Sequence, residues 1–128
     1  MRGQISLEYL FLSIISVSLL SISLFSLMAI RVYAMEALSI LKFSSDVSSL
    51  GNTANQVCIM GIGNYRSLFV QQPIFSESVK LDNLWIVRFS SGNFSIVRSS
   101  TCPVEGQAYG ETQIKNENGI IKISSKDS

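Results

Sequence analysis

Residues 2–30 decide the fold of this chain: Arg2-Gly3-Gln4-Ile5-Ser6-Leu7-Glu8-Tyr9 is followed by apolar and serine residues through Ile30. Between Glu8 and Arg31 no residue carries a formal charge. A helix rises about 1.5 Å per residue, so this run of about 22 residues is long enough to span a bilayer. A carboxylate costs about 2.5–3.5 kcal/mol at a bilayer centre and less near its edge. The presence of Glu8 at the start of this run therefore needs an explanation.

Length and composition limit what else the chain can contain. It has 128 residues, a formal net charge of +1 and 15% charged residues, below the usual quarter. A long helix leaves about 75 residues, enough for one small domain that buries little surface and often needs a covalent staple. No basic run and no basic patch interleaved with aromatic residues is present, so nucleic-acid binding is unsupported.

Two cysteines, Cys58 and Cys102, follow the apolar segment. They lack CxxC spacing, and the chain has no histidine to complete a metal site. In an exported chain, two distant cysteines in a small domain predict one disulfide, which would contribute about 4 kcal/mol in the chain-entropy model. The alternative is a pair of buried thiols.

Two ordinary kinds of N-terminal segment have to be compared with the apolar run, a cleaved secretory signal peptide and an uncut membrane anchor. The apolar core of a secretory signal peptide spans about 7–15 residues, shorter than this run. A small-residue cleavage site exists at Val32-Tyr33-Ala34, but it lies beyond Arg31. An uncut membrane anchor is a second possibility.

The helical pattern continues beyond the apolar run, now with polar residues on one side. Gly51 predicts a helix end near Leu50 through a left-handed cap. The helix is therefore predicted over about residues 4–50, with an amphipathic second part that packs on a downstream domain. The apolar positions that recur near helical spacing are Val32, Met35, Leu38, Leu41 and Val47.

After Gly51 the pattern changes to short apolar runs separated by glycine, proline and asparagine, which predicts strands. The last four runs form two pairs around turn-type sequences and predict β-hairpins. Pro73 is expected to end the second run, and Cys58 lies in the first. The runs are 56–60, 67–71, 84–89, 94–98, 112–115 and 120–124.

The sequence therefore predicts an α+β protein. A long N-terminal helix precedes one small antiparallel β domain over 51–128, either a sandwich or a partly open barrel. Cys102, in a loop beside Pro103, would be tied by a disulfide to the first strand of this domain.

The chemistry of the chain points away from catalysis. There is no histidine, the carboxylates are scattered without a fixed pair, and no glycine loop could cradle a phosphate. We expect no catalytic residues, no metal and no cofactor, and therefore no enzyme. Asn93-Phe94-Ser95 is an acceptor motif for N-glycosylation at a predicted hairpin tip, which implies an oligosaccharyltransferase among the partners.

The first residues of the chain resemble those of archaeal type IV pilins with a class III signal peptide. In that family a prepilin peptidase cuts after a glycine that follows a basic residue, before the hydrophobic segment, so the helix stays in the mature protein. The resemblance implies a leader of residues 1–3 and cleavage between Gly3 and Gln4. Gln4 becomes the first mature residue and Glu8 the fifth.

The resemblance implies a structural subunit of an adhesive pilus. The precursor is held in the cell membrane by a single span with its C-terminal domain outside, and the mature chain polymerises with copies of itself or other pilins through membrane-bound assembly machinery. Glu8 promotes assembly by meeting the N-terminal amine of a neighbouring subunit, although cyclisation of Gln4 to pyroglutamate would remove that charge. As the alternative, Glu8 complements the helix dipole.

Two other functions stay open. The chain could be a minor or initiating pilin of the same machinery. It could also be a membrane-anchored extracellular binding domain that never polymerises.

Overall fold

One long helix and five strands make up the protein, in a computed structural model that describes residues 2–126, without the side chain of Arg2. Met1, in the expected leader, and residues 127–128 lie outside the described residues. The α+β class is confirmed. The elements are α1 Arg2–Met60, β1 Tyr65–Leu81, β2 Leu84–Ser91, β3 Phe94–Ser100, β4 Val104–Glu117 and β5 Ile120–Ser125.

The chain divides into two compact units, Met1–Leu38 and Ser39–Ser128. In the first unit, every described residue from Gly3 onward is helical and exposed. This helix is long and apolar enough to cross a membrane. The prediction of a membrane-length helix is therefore confirmed for length and composition.

The second unit has its core between the last turns of α1 and one face of the sheet. Successive helix positions spaced by three or four residues are buried there, as expected for an apolar stripe. Of the residues predicted to form this stripe, only Val47 is buried, and Val32, Met35, Leu38 and Leu41 are exposed. The buried helix residues are Phe43, Val47, Leu50, Ala54 and Val57.

The helix ends at Met60 and not at Leu50, so the predicted cap at Gly51 and the predicted strand over 56–60 are wrong. Ala54 and Val57 continue the apolar stripe, and their burial against the sheet outweighs the cost of about 1 kcal/mol for a glycine inside a helix.

The true helix end is capped by asparagine side chains. The Asn64 amide donates to the carbonyl of Met60 at 2.8 Å, and Gly61 adopts a positive φ of 96°. Asn116, which is buried, donates from its amide to the carbonyl of Val57 at 3.4 Å. Last-turn carbonyls that the helix leaves without partners are thereby satisfied from outside the helix.

The strands form a single five-stranded sheet in the order β3-β2-β1-β4-β5, and it is not closed into a barrel. Both predicted hairpins are present, β2–β3 and β4–β5. The second turns at Asn118-Gly119, where both residues have positive φ, as a two-residue hairpin loop favours. The helix covers the face that a second sheet would cover in the expected sandwich, so the core is built from one sheet and one helix.

Strand β1 runs past Pro73, where the sequence predicted its end. The pairing with β4 shifts register between Val70 and Ile74, which places the proline in a bulge where the ladder needs no N–H from it. The backbone N–H of Gln71 donates instead to the Asp46 carboxylate on α1, at 3.2 Å. A helix side chain thus replaces a strand partner.

The start of β4 curls against β5. Val104–Gly106 pairs with Ile121–Ile123, while the later part of β4 pairs with the same strand again. Gly106 has a φ of 128°, and its backbone lies against that of Ile123. Among the described strands, β3 pairs only with β2, so β3 is the open edge of the sheet.

Candidate functional site

The expected cleavage site lies at the exposed start of α1. Gly3 and Gln4 are both helical and exposed, and apart from its chain neighbours and the nearby backbone of its own helix, no described atom lies within 4 Å of the position that a Cβ on Gly3 would occupy. The described part of the chain therefore leaves this peptide bond open to solvent.

Glu8 is exposed and has no hydrogen-bond or ion-pair partner among the described residues. Helix neighbours three or four residues away share its surface. These are Gln4, Ile5, Phe11 and Leu12, of which only Gln4 is polar. In an apolar surrounding, this carboxylate would need a donor or cation from another molecule.

The serines of the apolar run are largely satisfied within the helix. In five of the six, the hydroxyl donates to the backbone carbonyl four residues earlier, at 2.8–2.9 Å. Such back-bonding is a common arrangement for serine in membrane helices. These five hydroxyls thus need no partner outside the helix, whereas the hydroxyl of Ser26 makes no hydrogen bond with the described residues. The five are Ser13, Ser16, Ser18, Ser21 and Ser23.

Cys58 and Cys102 form the predicted disulfide, with their Cα atoms 6.1 Å apart. Its position differs from the prediction, because Cys58 lies in the last turns of α1 and not in a strand. Cys102 lies in the connection between β3 and β4. The bond therefore fastens the end of the helix to this connection.

Asn93 lies in the turn between β2 and β3, with an exposed side chain. The middle residue of the motif, Phe94, packs inward against Phe43 with ring centroids 6.0 Å apart. Ser95 is exposed like Asn93. The two residues that an N-glycosylation acceptor requires are thus accessible, and the predicted modification stays a prediction.

Among the described acidic residues of the second unit, Glu111 and Glu117 form surface ion pairs, and Asp46 accepts a backbone hydrogen bond. Glu117 forms ion pairs with Lys122 at 3.2 Å and Lys115 at 3.8 Å, and Glu111 accepts a hydrogen bond from Lys126 at 3.2 Å. Within residues 2–126, no three histidine, cysteine or acidic side chains come together as metal ligands.

Sequence reasoning missed two polar side chains that organise the second unit, Asp46 and Asn116. Each bonds backbone from a distant element, which no local pattern records. It also missed a groove around Arg98, described below.

Comparisons with known proteins give no relative: no family model, no curated protein and no solved structure matches the chain. The function has to be inferred from the chain's own residues.

Proposed function

We propose that this chain is a structural subunit of an archaeal type IV adhesive pilus. It is made as a membrane-held precursor, cut after Gly3 by a prepilin peptidase, and polymerised through its N-terminal helix. The observation on which the proposal rests is the combination of Arg2-Gly3-Gln4 and Glu8 at the head of a helix that is apolar and exposed on every side.

The exposure of the first unit supports polymerisation. A helix that is apolar all round is stable only when lipid or other helices cover it. Lipid covers it in the precursor, and the helices of neighbouring copies cover it in the filament. Back-bonded serines suit both surroundings, because their small side chains let helices approach closely and need no outside partner.

Glu8 supplies the polar element of this packing. The carboxylate has no partner among the residues that the structure describes, so a donor from a neighbouring subunit would offset the cost of burying it. The amine of a mature Gln4 is one such group. If Gln4 is converted to pyroglutamate, its lactam N–H is the donor that stays available at this position.

The second unit fits the role of an outer domain. A disulfide between the helix and the β3–β4 connection suits an oxidising exterior, and the membrane-length helix suits a precursor with this domain outside the cell. A glycan on Asn93 would extend from the hairpin tip into solvent.

Processing is the first test. We expect the mature protein from the producing cells to begin at Gln4, free or as pyroglutamate, because Gly3-Gln4 carries the class III cleavage signature. Intact mass and N-terminal sequencing give the start directly. Gly3→Val should leave the precursor uncut, whereas Ser6→Ala should be processed normally.

Other starting residues would contradict the proposal. An intact Met1 in the membrane fraction would identify a plain anchor, and a start at Met35 would identify ordinary secretion.

Replacement of Glu8 is the second test. We expect Glu8→Ala to reduce filament yield at least about tenfold while the processed protein stays in the membrane, since a hydrogen bond to a charged group contributes about 1.5–3 kcal/mol. Quantitative immunoblotting of sheared filaments and of membranes measures both pools. Glu36→Ala is the matched control, because Glu36 is also an exposed carboxylate on the first unit.

Equal filament yield from Glu8→Ala and the parent would remove the role assigned to Glu8. Abundance of the chain in purified filaments separates a major subunit from a minor or initiating one. Absence of the chain from all filaments would leave the non-polymerising binding domain.

A further inference from the structure

A groove of about 360 Å³ lies within the second unit, between the last turns of α1 and strands β2 and β3. We name it the Arg98 groove. Its lining includes the core side chains Val87, Phe89 and Val104, which are each only 1% exposed and present almost no surface to a ligand. Its polar lining includes Asn52, Asn55 and Arg98.

Arg98 brings an unpaired positive charge to this groove. Its guanidinium donates from Nη2 to the hydroxyl of Ser48 at 2.8 Å, and no carboxylate among residues 2–126 lies within ion-pair distance. The stem of Arg98 passes close to Gly51, where a Cβ would meet its Cδ at 3.5 Å. The guanidinium is therefore positioned by the neutral hydroxyl of Ser48, and its other N–H groups can donate to an anion.

Two amides add further hydrogen-bonding capacity. The Asn52 side chain makes no hydrogen bond with the described residues, and the Asn55 side chain uses only its Oδ1, which accepts from the Ser100 hydroxyl at 3.1 Å. The amide donors of both side chains thus have no partner in residues 2–126. They lie beside β3, the open edge of the sheet.

We propose that the Arg98 groove binds a small hydroxylated carboxylate of the sugar-acid class. A guanidinium suits a carboxylate, and asparagine amides suit hydroxyl groups. The volume is at the small end for ligand sites, which fits one monosaccharide. The ligand is either a free sugar acid or the terminal residue of a surface glycan. Binding here does not depend on filament assembly.

Calorimetric titration of the full chain in detergent micelles with sodium glucuronate tests the proposal. We expect saturable binding, little or none to glucose at the same concentration, and binding at least about tenfold weaker for Arg98→Gln. Arg88→Gln is the matched control, since Arg88 lies in register with Glu77 on β1 and does not line the groove. Asn52→Asp, which adds a carboxylate to the groove at an exposed helix position, should also weaken binding.

A second arm presents an immobilised oligosaccharide that ends in glucuronate. Capture of the chain by this glycan supports a surface-glycan ligand, and binding of free glucuronate alone supports a free one. The proposal is overturned if neither form binds, if glucose binds as well as glucuronate, or if Arg98→Gln and Asn52→Asp bind like the parent. Thermal unfolding of each variant confirms that a loss of binding is not a loss of the fold.

Discussion

Replacement of Cys58 and Cys102 together by alanine is expected to lower the free energy of unfolding of the second unit by about 4 kcal/mol. The disulfide closes a loop with a sequence separation of 44, and without it the unfolded chain regains the entropy that the closed loop removes. The effect is large because a domain this small has little other stabilisation to spare. Urea unfolding of the full chain in micelles, followed by fluorescence of Trp85, measures it.

Reduction provides the matched control for this change. The parent protein in excess dithiothreitol should unfold at the same urea concentration as the double variant, and the double variant should not respond to dithiothreitol. A loss below about 1 kcal/mol in the double variant would show that packing at the end of α1 holds the unit without the bond.

Gly106→Ala is expected to destabilise the same unit by at least about 3 kcal/mol. Gly106 has a φ of 128°, a backbone conformation that side chains rarely adopt. A Cβ there would meet the carbonyl carbon of Ile123 at 2.9 Å and its nitrogen at 3.0 Å, with the oxygen closer still. Because these atoms are backbone in a paired strand, they cannot move aside like the end of a flexible side chain. The same urea titration gives the change.

Gly92→Ala is the control that separates the effect of the steric clash with Ile123 from the effect of a positive φ on stability. Gly92 also has a positive φ, of 57°, but apart from its two chain neighbours no described atom lies within 4 Å of its Cβ position. We expect this variant to lose about 1 kcal/mol, the cost of placing an alanine in the left-handed region. Equal losses in the two variants would mean that the curl of β4 against β5 does not restrict position 106.

Short stretches of sequence were enough to predict the helix of the uncharged run and the two hairpins. The uncharged run is helical throughout, and the hairpins at Gly92-Asn93 and Asn118-Gly119 form where turn residues separate strand-forming runs. These elements need no distant partner to choose their conformation, so a short window of sequence contains enough information.

The errors occurred where distant contacts override local preference. Gly51 predicts a helix end in isolation, but the apolar stripe through Val57 keeps the helix in contact with the sheet for several more residues. Pro73 predicts a strand end, but Asp46 on the helix satisfies the backbone N–H of Gln71 at the bulge. Both outcomes depend on residues far away in sequence.

The candidate sites differ in the same way. Gly3, Gln4 and Glu8 lie within one short segment, so their spacing can be read directly. Arg98 and Asn52 line the same groove only because β3 and α1 pack together, and neither residue is part of a recognisable motif. A groove of this kind becomes visible only with the three-dimensional fold.

The back-bonded serines of α1 determine how the helix responds when the molecules around it are exchanged. Because each hydroxyl donates to its own helix, exchanging lipid for detergent or protein neither breaks nor forms these hydrogen bonds. The selectivity of the segment for one neighbour over another then comes from its shape and from the polar groups that are not back-bonded, Glu8 among them. The helix can therefore move from one environment to another without breaking hydrogen bonds along most of its length.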